Sequence, residues 1–396
     1  MRHLLKFSVL FLVLCNCQST PGHTEEPQPV PRITYEVYPN EWYTQQEQLW
    51  KKEIEKNPQN ANAWHNYYNA VRYADFVSTI NTPSKADKLN KIISDMEKAI
   101  PESYEYYYLK FKTEHKFEDI QLIEKAHQLK PEEPEPLYDL ITYNEIHGNT
   151  DKAVTYYQAL YDSRDIAPWL LDYNYNVLMS VAENGILVTN GDNDSYPARM
   201  LQAVRGVRPD VTLMNISMST VESYFNRKLK QKKIELNFAT LYEQAKANEM
   251  KTFDLSLFFQ ALVRNISEAY PKIPIYIAYT VYPQHFKPFK DKLYMAGLAY
   301  CYSPERIDNL ALLKKQFEQQ FRLDYLADDW YADLTPGKNL RTKMHLNYVP
   351  PAIMLAEHYA LSNEHKRAIY WKNFALRIVR DSGIDEMMKE IEEKQF

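Results

Sequence analysis

Glycine is scarce in this chain: 8 residues in 396. A β-sandwich or barrel with many tight turns would need more, so few glycines favour helices packed side by side. Cysteine is scarcer still, with Cys15 and Cys17 close to the start and Cys301 far away. Three such residues exclude a disulfide framework, and Cys301, in "LAYCYSP", reads as buried packing. There is no basic excess. The formal net charge is −5, which gives no general attraction to phosphate backbones, so nucleic acid is not an expected partner. The basic tract "NRKLKQKK", Asn226 to Lys233, reads as a solvated helix end. Several catalytic signatures are missing: no Gly-x-Ser-x-Gly, paired-histidine zinc helix, phosphate loop or Gly-x-Gly-x-x-Gly occurs. His147, His285, His345, His358 and His365 are scattered, the last two on expected exposed helix faces. No nucleophile–base set is apparent, and the chain is not expected to be an enzyme.

What is present begins at the amino terminus. Arg2, His3 and Lys6 precede the apolar run "FSVLFLVL", Phe7 to Leu14, which is too short to span a bilayer. It leads into "CNCQS" and resembles a bacterial lipoprotein signal, with Leu14 three residues before Cys17. Cys17 is then the lipidated residue, carrying acyl groups such as palmitate. Leu12 before Cys15 is the second option, and an ordinary secretory signal the third. Residues 1–17 are the expected signal. Residues 18–40, which include "STPGHTEEPQPVPR", are expected as a flexible tether with nothing to bury. The implied location is the bacterial cell envelope, either the periplasmic face or the outer-membrane surface.

From 41 to 178 the pattern is helical and repeats. Pro58, Pro101 and Pro131 each end an apolar helix tail, and six residues later stand Trp64, Tyr107 and Leu137. This is the arrangement of tetratricopeptide-like repeats, here irregular in length. In the third unit Leu137, Leu140 and Ile141 line one helix, Gly148 turns the chain, and Ala153, Tyr157 and Leu160 line its partner. The tyrosine-rich "SYEYYYLKF", Ser103 to Phe111, reads as repeat core, with sugar stacking or partner contact as the functional alternative.

Over 179–322 the periodicity changes. "GILVTN" and "VTLMNISM" are short buried strands, "IPIYIAYTV" a third, and "LYMAGLAYCYSP" a fourth around Met295 to Tyr302, with helices between them. The segment "YPARMLQAVRG" is expected to open at Pro197 and stop at Gly206. Strands alternating with helices imply a parallel Rossmann-like sheet. Over 323–396, Leu355, Ala356 and Tyr359, then Ala368 and Ala375, restore the repeat spacing, and "DEMMKEIEEKQF" closes the chain as a solvated cap. The expected class is α/β plus α: a small parallel sheet flanked by helical hairpins.

The loop "TNGDNDS" lies at the carboxyl end of the first strand, where open α/β sheets bind ligands. Asn190, Gly191, Asp192, Asn193 and Asp194 are the candidate ligand or metal loop. Asp192 and Asp194 have the spacing of a glycosyltransferase Asp-x-Asp element, and also of a simple divalent-cation site. A haloacid-dehalogenase-like arrangement fits poorly, because Thr189, Asn190 and Gly191 intervene after the strand and the later pair Asp328 and Asp329 falls in helix. A ligand-free reading explains the same residues: Asn190 and Asp192 form side-chain turns, Gly191 supplies positive φ, and Asp194 or Ser195 caps the helix.

"ILVTNGDNDSYPARMLQAVRGVRPDVTLMNISM" resembles the soluble carboxyl-terminal region of bacterial multi-spanning membrane proteins related to protein O-mannosyltransferases. "KIPIYIAYTV" and "YMAGLAYCYSP" resemble later segments of that region, so the similarity runs from Gly185 to the end. That family's transferase chemistry belongs to its membrane-embedded half, which this chain lacks, so the resemblance implies a role for the soluble module alone. The functional expectation is a non-catalytic scaffold with a protein or peptide partner on its repeats and a small-ligand or glycan site at the loop. The alternative is a metal-dependent enzyme, or an accessory of envelope glycosylation, using Asp192 and Asp194.

Overall fold

The computed structural model describes residues 25–74, 83–114, 116–246, 251–327 and 337–394. Cys15, Cys17 and the signal lie outside the described residues, as do Asp328 and Asp329. The chain divides into two compact units, Met1–Pro101 and Glu102–Phe396, so the helical block expected over 41–178 contributes to both. No helix among the described residues is long and apolar enough to cross a membrane.

The first unit carries α1 (Asn40–Lys56), α2 (Ala61–Tyr73) and α3 (Pro83–Ala99). Trp42, Gln46, Trp50 and Ile54, each four residues from the next, are the buried stripe of α1, the spacing that keeps one helix face against a neighbour. Asn60 caps α2 by accepting the Ala63 amide. The Trp64 indole donates to the carbonyl of Pro58 at 2.9 Å, so the proline and the first large residue of the repeat are physically joined. Residues 18–24 of the expected tether lie outside the described residues, and the stretch from Gln28 to Val30 departs from the expectation by making contacts. The Gln28 amide donates to Gln46 Oε1 (2.7 Å), Trp50 Nε1 donates to the Gln28 carbonyl (2.9 Å), and the Val30 amide donates to Asn66 Oδ1 (2.7 Å). Val30 is buried. Backbone groups in this segment find buried side-chain partners on α1 and α2, which composition alone does not reveal.

The second unit begins with α4 (Tyr104–Glu114), α5 (Ile120–Leu129), α6 (Glu135–His147), α7 (Thr150–Ser163) and α8 (Pro168–Met179). In α4, Tyr104 and Tyr108 stack with ring centroids 5.7 Å apart. Tyr107, expected as the anchor of its repeat, is half-exposed and hydrogen-bonds Glu102. The tyrosine stripe is core, but one residue out of the expected register. The α6–α7 pair matches its expectation: Leu137, Leu140, Ile141, Ala153, Tyr157 and Leu160 are all buried. Gly148 takes φ +78° at the turn, a conformation that glycine adopts without a Cβ penalty.

The chain then forms β1 (Ile186–Thr189), α9 (Asp192–Arg205), β2 (Thr212–Asn215), α10 (Glu222–Gln231), α11 (Phe238–Gln244), α12 (Leu255–Ala269) and β3 (Ile275–Ala278). After these come α13 (Pro283–Phe286), β4 (Leu293–Ala296), β5 (Ala299–Tyr302) and α14 (Asn309–Lys315). The five-stranded sheet runs β2-β1-β3-β5-β4. Leu187 faces Leu213 and Val188 faces Met214 in parallel register, and β3 is also parallel to β1. The two remaining strands are antiparallel, so the expected all-parallel sheet is a mixed one. Its expected fourth strand is a hairpin, β4–β5, turning at Gly297 with φ +66°. A Cβ at Gly297 would lie 2.3 Å from Ser180 Oγ and 2.7 Å from Phe321 Cζ, so only glycine fits. Every residue of β1 and β3 is buried, as central strands covered on both faces should be.

The chain ends with α15 (Lys338–His345), α16 (Val349–Leu361), α17 (His365–Ser382) and α18 (Asp385–Glu393). Leu355, Ala356, Tyr359, Ala368 and Ala375 are fully buried in the α16–α17 pair. One apolar core runs through this unit from Leu137 to Ile391. The described structure is mostly helical.

Candidate functional site

β1 ends at Thr189, and α9 begins three residues later, at Asp192. The intervening turn is braced by Asp194, which is 1% exposed. Its carboxylate accepts the backbone N–H groups of Asn190 (2.7 Å) and Gly191 (2.8 Å), the Ser195 hydroxyl (3.3 Å) and the hydroxyl of Thr280 just after β3. Burial pushes this carboxyl above its ordinary range, and the hydrogen bonds pull it back. Asp194 therefore reaches back from the first turn of α9 to satisfy the loop's own amides, and ties the loop to β3.

Two local expectations change. Gly191 has φ −147°, so it supplies no left-handed conformation, and a Cβ there would meet nothing within 4 Å. Pro197 lies inside α9, which starts five residues before it. Proline has no N–H for the carbonyl of Asn193, and Asn174 Nδ2, from α8, donates to that carbonyl instead at 2.9 Å.

Beyond the loop lies a cavity of about 270 Å³. Thr189 and Asn190 border it from β1, and Asn215, Ser217 and Met218 from the end of β2. Asp192, Ser195 and Arg199 reach it from α9, Thr142 and Glu145 from α6, Tyr157 from α7 and Tyr224 from α10. It lies at the carboxyl ends of two adjacent parallel strands, where such sheets leave a crevice, and here the repeat pair α6–α7 supplies a wall.

Behind that wall is a buried ion cluster. Glu145, 8% exposed, receives Arg199 Nε at 3.0 Å, Arg199 Nη2 on the same oxygen, and Lys228 Nζ at 3.1 Å on the other. Burial would raise the Glu145 carboxyl, but Lys228 and Arg199 outweigh it and hold the group down at about 2. Lys228 is 1% exposed. Burial, aided by the Arg199 charge, brings its ammonium down to about 8 despite Glu145. Arg227 donates to the carbonyls of Glu145 and Ile146 near the end of α6, where a cation complements the helix dipole. The basic tract is thus not simply a solvated face: Arg227 and Lys228 clamp α6.

The candidate residues separate into two roles. Asn190, Gly191 and Asp192 border the cavity, whereas Asp194 is turned inward and Asn193 contributes its carbonyl to Asn174. The two carboxylates do not converge, and no group of three or more His, Cys, Asp or Glu side chains that could hold a metal ion occurs among the described residues. Glu145, Arg199 and Lys228 were not legible as a site, because they stand on three different helices. Cys301 is buried and unpaired on β5. The histidines do not gather: His285 is buried against Ser256 (2.9 Å), His345 is held down to about 3 by burial and the nearby Arg341, His365 is exposed and His358 is half-buried.

Residues 170–251 match the family described as TMEM260-associated domain 2, a domain linked to protein O-mannosyltransferase-like proteins. The match takes in α8, β1, the loop, α9, β2 and α10. No curated protein matches the chain. A solved structure described as "Structure of Naa15/Naa10 bound to HypK-THB" is 11% identical, covering 86% of this chain and 49% of that one, with a TM-score of 0.26. The chain thus spans about half the length of that structure, and a TM-score this low carries no topology from one to the other.

Proposed function

We propose that this chain is a non-catalytic scaffold of the bacterial envelope, anchored by lipid on Cys17. In this reading its helix pairs offer a surface to a protein or peptide partner, and the cavity beside Asn190–Asp192 takes a small ligand. One observation carries the ligand part: the loop singled out at the carboxyl end of β1 opens into a cavity whose opposite wall is a repeat helix pair. A ligand there touches the sheet and the repeats together. The family match over 170–251 supports a role tied to that module, akin to the soluble region of membrane mannosyltransferase relatives.

The alternative, a metal-dependent enzyme or glycosylation accessory using Asp192 and Asp194, requires Asp194 to abandon four hydrogen bonds. Titration with manganese or calcium distinguishes the two. A cation site raises the melting temperature in proportion to occupancy, and Asp192→Asn abolishes the rise. The scaffold reading expects no rise. It also expects an acylated Cys17 in the mass spectrum of the membrane-extracted protein, and one partner reproducibly cross-linked to the intact chain. Absence of the acyl group together with absence of any cross-linked partner would contradict it.

A further inference from the structure

We infer that the cavity is built for an uncharged, polyhydroxylated ring, a single monosaccharide unit being the class that fits; this rests on the small-ligand reading above. The inference starts from groups around the cavity that have no partner among the described residues. Tyr157 is 3% exposed, its ring is embedded in the repeat core, and its hydroxyl makes no hydrogen bond although it borders the cavity. A buried phenol normally finds a partner. The Asn190 side-chain amide and the Ser217 hydroxyl border the same space without hydrogen bonds, and Arg199 retains one N–H on each terminal nitrogen after binding Glu145 and Gln202.

The kind of group left over selects the ligand. A phosphate or carboxylate needs donors and an excess of positive charge. Here the two cations Arg199 and Lys228 share Glu145, and Asp192 adds a second carboxylate at the cavity wall, so these four charges leave no positive excess. A cation needs acceptors, yet Arg199 presents donors. Tyr157, Asn190 and Ser217 each donate and accept, which is the pairing that sugar hydroxyls offer in return. Ile141, Leu213 and Met218 give the apolar contact that the carbon face of a ring requires. The volume, about 270 Å³, falls just below the range of drug-sized pockets and suits one ring.

The test is calorimetric titration of the full mature chain with a panel of methyl hexopyranosides, against inorganic phosphate, a hexose 6-phosphate and an amino sugar. A neutral hexoside is expected to bind more tightly than its phosphorylated or aminated counterpart. Tyr157→Phe should weaken it by about five- to ten-fold with an unchanged melting temperature, since one neutral hydrogen bond is lost and none within the protein. Ser217→Trp, at an exposed position, should abolish binding by filling the cavity. If the charged probes bind better, the neutral-ring assignment is overturned while the pocket reading stands. If no probe of any class binds the wild-type protein, both fail. Hexoside binding that ignores both substitutions occurs elsewhere and overturns the assignment.

Discussion

The helix pairs α6–α7 and α16–α17 are built on one pattern, yet they bury different chemistry. Each places a small residue near the start of its second helix, Ala153 in one and Ala368 in the other, and both are buried. The buried set of α16 is apolar apart from the Tyr359 hydroxyl at its edge. That of α6 includes Asn144 and Glu145, and Glu145 meets two cations. A repeat pair that only has to pack can use side chains that make no directional demands. Buried charge costs desolvation, and a hydrophobic substitute often serves stability as well or better. Its presence in one pair, beside the cavity, fits the ligand role proposed for that pair.

The largest expected effect breaks that contrast. Glu145→Gln leaves Arg199 and Lys228 facing each other without a carboxylate, and should cost about 3–5 kcal/mol of unfolding free energy by chemical denaturation. Joint replacement by Glu145→Leu, Arg199→Met and Lys228→Met, which removes all three charges, should recover much of the loss. Acid gives the next effect. The Glu145 carboxyl is held at about 2 against an ordinary 4.5, so the unfolded chain binds the extra proton between those values. Stability supplied by this group is therefore complete above about pH 4.5 and is lost as pH falls towards 2, by about 3 kcal/mol in all. Urea midpoints measured down the pH scale should show this slope in the wild type and a shallower one in Glu145→Gln.

A smaller effect separates the two loop carboxylates. Asp194→Asn should cost about 1–3 kcal/mol, since an amide cannot accept from all its donors. Asp192→Asn should stay within about 0.5 kcal/mol, as befits an exposed position. Equal losses in the two variants' melting curves would contradict the assigned roles.

Much of the architecture could be read from local pattern. The strands around Val188 and Leu213 are continuous apolar runs because both faces are covered, and the α6–α7 pair announces itself through Leu137, Gly148 and Ala153. What could not be read depends on partners far along the chain. α9 begins before Pro197 because Asn174 supplies a donor that proline lacks. Lys228 looks like one lysine in a basic helix until Glu145, 83 residues away, is placed beside it. The β4–β5 hairpin was hidden because Gly297 is its only punctuation. Of the candidate loop, the cavity-facing residues Asn190, Gly191 and Asp192 were legible, whereas the inward turn of Asp194 follows from Thr280, which only the fold brings near.

The account depends most on Glu145 and Lys228 being a working joint between the repeat pair and α10, the helix that follows β2. A double-mutant cycle with Glu145→Gln, Lys228→Met and the combination, read as unfolding free energy at neutral pH, tests it directly. A coupling of about 1.5–3 kcal/mol is the predicted result, and additive effects, with no coupling, would contradict it.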